Sequence, residues 1–150
     1  MKSPVTDICD LNHELPPDAP DAPQWLVDAL QVPREEGWVT SDGCDVHYFR
    51  WGDPANPPLL LMHGFLAHAR CMAFIAPFLS EQYHVVAYDL SGMGDSGVRS
   101  SYPDAARAQE VVDVARETGL FDHSIKPIVI AHSYGGHVGL ATCLLYTSDA

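Results

Sequence analysis

The sequence predicts an α/β protein with a largely parallel sheet, and three stretches predict it. The first is Pro127-Ile128-Val129-Ile130-Ala131, a β-branched run that passes directly into His132-Ser133-Tyr134-Gly135-Gly136, as a buried strand does when it stops and re-enters as a helix. The second is the apolar run Leu59-Leu60-Leu61-Met62, which ends in His63-Gly64-Phe65. The third is Tyr83 to Tyr88, which ends in Asp89-Leu90-Ser91-Gly92-Met93-Gly94-Asp95-Ser96. Uninterrupted apolar strands are those covered by helices on both faces. The spacing between successive strands leaves room for one helix each.

The remaining elements follow in order. Residues 1–35 are expected to form an acidic arm with a short helix, because Pro4, Pro16, Pro17, Pro20 and Pro23 are interspersed with Asp7, Asp10, Glu14, Asp18 and Asp21 without sustained periodicity. Gln24 to Leu30 reads as that helix, with Trp25, Leu26 and Leu30 on its apolar side and Pro33 beyond its end. It serves either as a docked cap over the sheet or as a partner-binding helix. Trp38-Val39-Thr40 and Cys44 to Trp51 flank Ser41-Asp42-Gly43, a hairpin signal because glycine accepts the positive φ the turn demands. Gly52 to Pro58 is a turn. Ala69 to Ser80 reads as a helix carrying Met72, Phe74, Ile75, Phe78 and Leu79, kinked by Pro77. Pro103 to Thr118 reads as a second, with Ala105, Ala108, Val112 and Ala115 on one side and Gly119 as its cap.

Composition bounds the function. A net charge of -12 excludes a phosphate-binding surface of clustered Lys and Arg, so nucleic acid is not an expected partner. No run approaches the ~18 apolar residues of a membrane span, and the first residues carry no apolar leader, so a cytoplasmic location without membrane contact is expected. Cys9, Cys44, Cys71 and Cys143 lie far apart without a C-x-x-C pair, and read as free thiols rather than a zinc site or disulfide framework.

The turn at Ser133 is tight enough that the residues two before and two after it nearly touch, so both must be small, and here they are Ala131 and Gly135. The serine is then held at the apex with its hydroxyl exposed. A strand-to-helix junction whose glycines only allow close packing is the alternative on this motif alone. With Leu59 to Phe65 and the D-x-x-G-x-G-x-S turn Asp89 to Ser96 in the same order, the chain resembles the α/β-hydrolase family from about Gly37 to Ala141, with Ala131 in place of the more usual first glycine. The resemblance implies the N-terminal part of the α/β-hydrolase fold.

A serine hydroxyl is a weak nucleophile at neutral pH and needs a base for its proton and donors for the oxyanion. The resemblance implies Ser133 as nucleophile and the backbone N–H groups of Phe65 and Tyr134 as donors. It implies structural roles for His63, Gly64, Asp89, Gly92, Gly94, Ala131, Gly135 and Gly136. His63 is expected to hydrogen-bond backbone around the oxyanion site, and the side chain of His132 to point away from the hydroxyl. His68, His84 and His123 read as surface or turn residues. Asp89 lies where active sites of open α/β sheets gather, so a catalytic role is the rival to its structural one. The glycine-rich turn matches no nucleotide fingerprint, so no cofactor is expected, and no metal site emerges from these histidines.

The family's acid and histidine follow the serine, and no suitable pair follows Ser133: His137 falls inside the next helix. The chain of 150 residues is also short for a fold of about 200–250. Residues 143–150 are encoded in order by TGT CTC TTA TAC ACA TCT GAC GCT, a transposase-end adapter of sequencing libraries, and are expected to be a non-native scar. Residues 36–142 then form a truncated hydrolase domain, the gene product continues beyond Thr142, and the chain itself is expected to be inactive. The activity expected of the full-length product is hydrolysis of a small carboxylic ester or related acyl substrate. The alternative is a non-catalytic protein of this fold that binds a ligand or partner.

Overall fold

In the computed structural model, residues 22–146 are described, and residues 1–21 of the arm expected over residues 1–35 lie outside them. Helix α1 (Gln24–Gln31) leads into strands β1 (Glu35–Ser41), β2 (Cys44–Trp51) and β3 (Pro58–Met62). Helix α2 (Ala76–Ser80), strand β4 (His84–Tyr88), helix α3 (Asp104–Glu117), strand β5 (Ile128–Ala131) and helix α4 (Tyr134–Tyr146) follow. The five strands form one sheet in the order β1-β2-β4-β3-β5. β1 and β2 pair antiparallel through Ser41↔Cys44, around a two-residue turn with φ 45° at Asp42 and 75° at Gly43, the geometry an Asp-Gly hairpin supplies. β4 pairs parallel with β3, and β3 with β5.

The apolar strands are explained by burial on both faces. Leu60, Met62, Val86 and Tyr88 face Val111, Val114 and Ala115 of α3 and Val138 of α4. Leu59, Leu61, Val85 and Ala87 face the other way, onto Phe49, Trp51, Ala69, Ala73 and Ala76, with Leu30 and Val32 packed behind them. Helix α1 therefore sits against this second cluster, while its Trp25 lies against Phe78 with ring centroids 6.2 Å apart.

Three expectations require correction, the first being that His84, read as a surface or turn residue, is 1% exposed within β4. The helix expected over Ala69 to Ser80 is broken into a 3₁₀ turn, Ala69–Met72, and the short α2. Pro77 has no N–H to give the carbonyl of Ala73, and the break places it in the first turn of α2, where no donor is needed. In α3 the buried side includes Arg107, Ala108, Glu110, Val111, Val112, Val114 and Ala115, while Ala105 is exposed. The two ionic residues on that side mark a charged cluster taken up below. Helix α4 runs through Tyr146, four residues into the segment expected to be a scar, with Leu144 and Tyr146 exposed.

Among the described residues strand β5 pairs only with β3, and Ile128, Val129 and Ile130 are each about half exposed at 46%, 45% and 50%. A bare apolar strand edge is a template for intermolecular pairing. The 150-residue chain expressed by itself is expected to aggregate and to melt without a cooperative transition in scanning calorimetry. A soluble monomer with a sharp transition would contradict this.

Candidate active site

Three loops meet at the carboxyl ends of the parallel strands β3, β4 and β5, the edge where open α/β sheets place their sites. The loop after β5 is the tightest. Ser133 has φ 52°, the left-handed region a non-glycine residue enters only when its surroundings hold it there. Those surroundings are backbone contacts. The amide of His132 donates to Met62 O at 2.9 Å, that of Gly135 to His132 O at 3.0 Å, and that of Gly136 to Ser133 O at 2.9 Å. Gly135 is buried, and a Cβ there would lie 2.5 Å from the carbonyl oxygen of His63 and 3.0 Å from that of Met62. Ala131, small and half-buried, pairs with Met62 in register. At Gly136 a Cβ meets nothing within 4 Å, so side-chain packing does not demand the second glycine.

Ser133 itself is exposed, and among the described residues its Oγ has no hydrogen-bond partner. The loop after β3 lies against it. A Cβ on Gly64 would stand 3.4 Å from Ser133 Cβ and 2.7 Å from His132 Nδ1, so the His132 ring sits over Gly64. Phe65 and Tyr134 meet edge to face, their ring centroids 5.8 Å apart. Neither the Phe65 nor the Tyr134 amide donates to another described backbone group. His137 turns its Nε2 to Asp104 Oδ1 at 3.0 Å and stacks on Tyr134.

His63 is buried and spans two loops. The Leu90 amide donates to its Nε2 at 3.0 Å, so Nδ1 carries the proton and donates to Gly64 O at 2.7 Å. Burial pushes the imidazole below its ordinary pKa, which keeps this neutral form.

Asp89 is 1% exposed, and its oxygens are committed. Oδ1 accepts from the Ala69 amide at 2.5 Å. Oδ2 accepts from His47 Nδ1 at 2.8 Å and from the Asp95 amide at 3.1 Å. Gly94, at φ 55°, passes so close that a Cβ would lie 2.2 Å from Asp89 Cγ. Gly92 turns the same loop at φ 78°. Burial by itself would raise the Asp89 pKa. The His47 N–H and the two amides outweigh it and hold the carboxyl below its ordinary value. The stability this contributes is full above the ordinary carboxylate range and is lost as pH falls through the lowered folded value.

Sequence reasoning missed two sets of partners. His47 is fully buried between two carboxylates, and only its inward position on β2, beside Phe49, hinted that a partner was required. Buried Glu110 accepts from Arg99 Nε at 2.7 Å, from Arg107 at 3.3 Å and from the Ser91 amide at 3.2 Å, while Arg99 also donates to Ser41 O at 2.7 Å. This ties α3, the Asp89 loop and the β1-β2 hairpin together. Glu36, His47 and Asp95 also bring potential metal ligands within 4.8 Å of one another, but Asp95 pairs with Arg70 at 2.7 Å and Glu36 accepts from His47, so their charges are already matched.

The two glycines of the elbow are expected to separate in a denaturation series on the longer product. Gly135→Ala, forced against backbone oxygens, should lose more than about 2 kcal/mol. Gly136→Ala, with open space in a helix, should gain about 0.5–1 kcal/mol.

The comparisons with known proteins bear on the family and the fold. The chain is 29% identical over 109 residues to the uncharacterized hydrolase YugF of Bacillus subtilis, covering 70% of this chain and 38% of that protein. It is 31% identical over 101 residues to epoxide hydrolase 3 of Xenopus tropicalis, covering 65% of this chain and 26% of that protein. A crystal structure of a membrane phospholipase A, described as a bacterial virulence factor, superposes with a TM-score of 0.66 at 31% identity, over 78% of this chain and 37% of that one. The chain thus spans well under half the length of each. A sequence model of the alpha/beta hydrolase family matches residues 59–149, more than half of the chain, and the protein belongs to that family.

Proposed function

We propose that this chain carries the nucleophile and the oxyanion donors of a serine hydrolase that cleaves a small carboxylic ester through an acyl-enzyme at Ser133. The observation that carries the reading is the exposed, unpartnered Oγ of Ser133 in a left-handed turn, next to the Phe65 and Tyr134 amides that no other described backbone group occupies. Ser133 Oγ attacks the ester carbonyl carbon and its proton passes to a base. The two amides hold the resulting oxyanion, with the N-terminus of α4 adding its dipole. The alcohol leaves with that proton, and water then cleaves the acyl-serine.

The base is assigned to sequence outside the described residues, because His63 is committed to Gly64 and Leu90 and His137 to Asp104. Activity is therefore expected of the full-length product. Serine at the elbow favours acyl transfer over the chemistry of the family's dehalogenases and epoxide hydrolases, which use aspartate there. The phospholipase A relative supports an ester, and Phe65 and Tyr134 offer an apolar lining for a small acyl group.

Full-length product is expected to be labelled stoichiometrically by a fluorophosphonate probe. Ser133→Ala should lose the labelling and reduce p-nitrophenyl acetate turnover by about 10⁴-fold or more. Labelling retained in that variant would remove Ser133 from the mechanism.

A further inference from the structure

The loop between β3 and the 3₁₀ turn is held from beneath rather than by its own side chains. Phe65 and Leu66 are 64% and 79% exposed, and Leu66 has φ 57°, a strained left-handed conformation for a leucine. Its backbone is anchored by the bonds from His63 Nδ1 and the Ala67 amide to Gly64 O, and by the bond from the Ala69 amide to Asp89. Asp89 is aimed in turn by His47, whose Nε2 meets Glu36 Oε1 at 2.8 Å while Nδ1 meets Asp89 Oδ2 at 2.8 Å. With a carboxylate oxygen at each ring nitrogen, the protonated ring donates to both.

From this geometry we infer that His47 is a positioning residue of the Ser133 site, acting through Asp89 and the Ala69 amide to hold the loop that presents the Phe65 N–H. The inference rests on reading Phe65 N–H as an oxyanion donor to Ser133 chemistry. The groups facing His47 are Glu36 and Trp38 from β1, Phe49 from β2, Asp89 at the end of β4 and Asp95 in the following turn. Arg34 and Arg70 stand over Phe49 at 4.5 and 5.8 Å. Burial, the largest influence, disfavours the charged ring, but Asp89 and Glu36 outweigh it and raise the His47 pKa. A raised folded value means that the bond to Glu36 is complete below the ordinary histidine value and is lost as pH rises through the folded one, while Nδ1–H stays on Asp89. The neutral ring then gives up the bond to Glu36.

The test is made on the full-length product with p-nitrophenyl acetate, following kcat and KM together with hydrogen exchange of the Ala67 and Ala69 amides. His47→Phe, which keeps a flat ring without donors, should lower kcat by about 10- to 100-fold with KM within about twofold, and speed exchange at the Ala67 and Ala69 amides. His47→Asn, whose side-chain N–H can replace the Nδ1 donor to Asp89, should keep kcat within about threefold of the parent and the Ala69 amide protected. A folded His47→Phe with parental kcat would overturn the inference, as would a folded His47→Asn in which the Ala69 amide exchanges fast while kcat stays parental, which decides the matter if His47→Phe does not fold. Turnover that survives Ser133→Ala would instead refute the nucleophile, and the amide exchange would still report whether His47 anchors the loop.

Discussion

The carbonyl oxygen of His63 occupies the space that a side chain at position 135 would need, and the rest of the site depends on that approach. Only because Gly135 lacks a Cβ can the turn after β5 close onto the end of β3. That closure brings Ser133 against Gly64 and sets the Phe65 and Tyr134 rings edge to face. It also forces Ser133 into left-handed backbone, a strain of about 1–3 kcal/mol that the flanking amide bonds and the cover of both sheet faces must offset. The sheet supplies the rigidity. β3 and β4 are buried along their whole length, so the loops at their ends start from fixed points.

Around this approach the loops are fastened by buried charge. Asp89 and Glu110 each sit in the interior with their oxygens satisfied by cations and amides from different elements. Such clusters rarely add much net stability, because desolvation opposes the attraction. Deleting one member is nonetheless damaging, since the partner is left buried and uncompensated. Their value here is geometric: Asp89 fixes the distance between the β3 loop and the β4 turn, and Glu110 fixes that turn to α3 and, through Arg99, to the β1-β2 hairpin. A cleft formed by three separate loops keeps its shape only if those loops are tied to each other.

Much of the fold was legible because it obeys local rules. The apolar runs of β3 and β4, the Asp42-Gly43 hairpin and the small residues around Ser133 each carry their signal within a few positions. The broken helix at Pro77 was misread because an apolar pattern of helical spacing continues across the proline, while backbone hydrogen bonding does not. His47 and Glu110 were missed for a different reason. One partner of each, Asp89 and Ser91, lies 42 and 19 residues away and meets it only across the loops the fold creates. Inward position on a strand or helix face says that a polar residue needs a partner, not which one. Gly136 illustrates the converse, a motif residue whose neighbourhood leaves its side chain free to vary.

The central claim is that Ser133 is presented between two amides ready to hold a developing oxyanion. It is tested most directly by a crystal structure of the full-length product after reaction with a diethyl phosphonate. The account predicts a covalent bond to Ser133 Oγ and a phosphoryl oxygen about 2.7–3.1 Å from both the Phe65 and Tyr134 nitrogens. An adduct on Ser133 whose phosphoryl oxygen faces away from both amides, or an adduct on another residue, would contradict it.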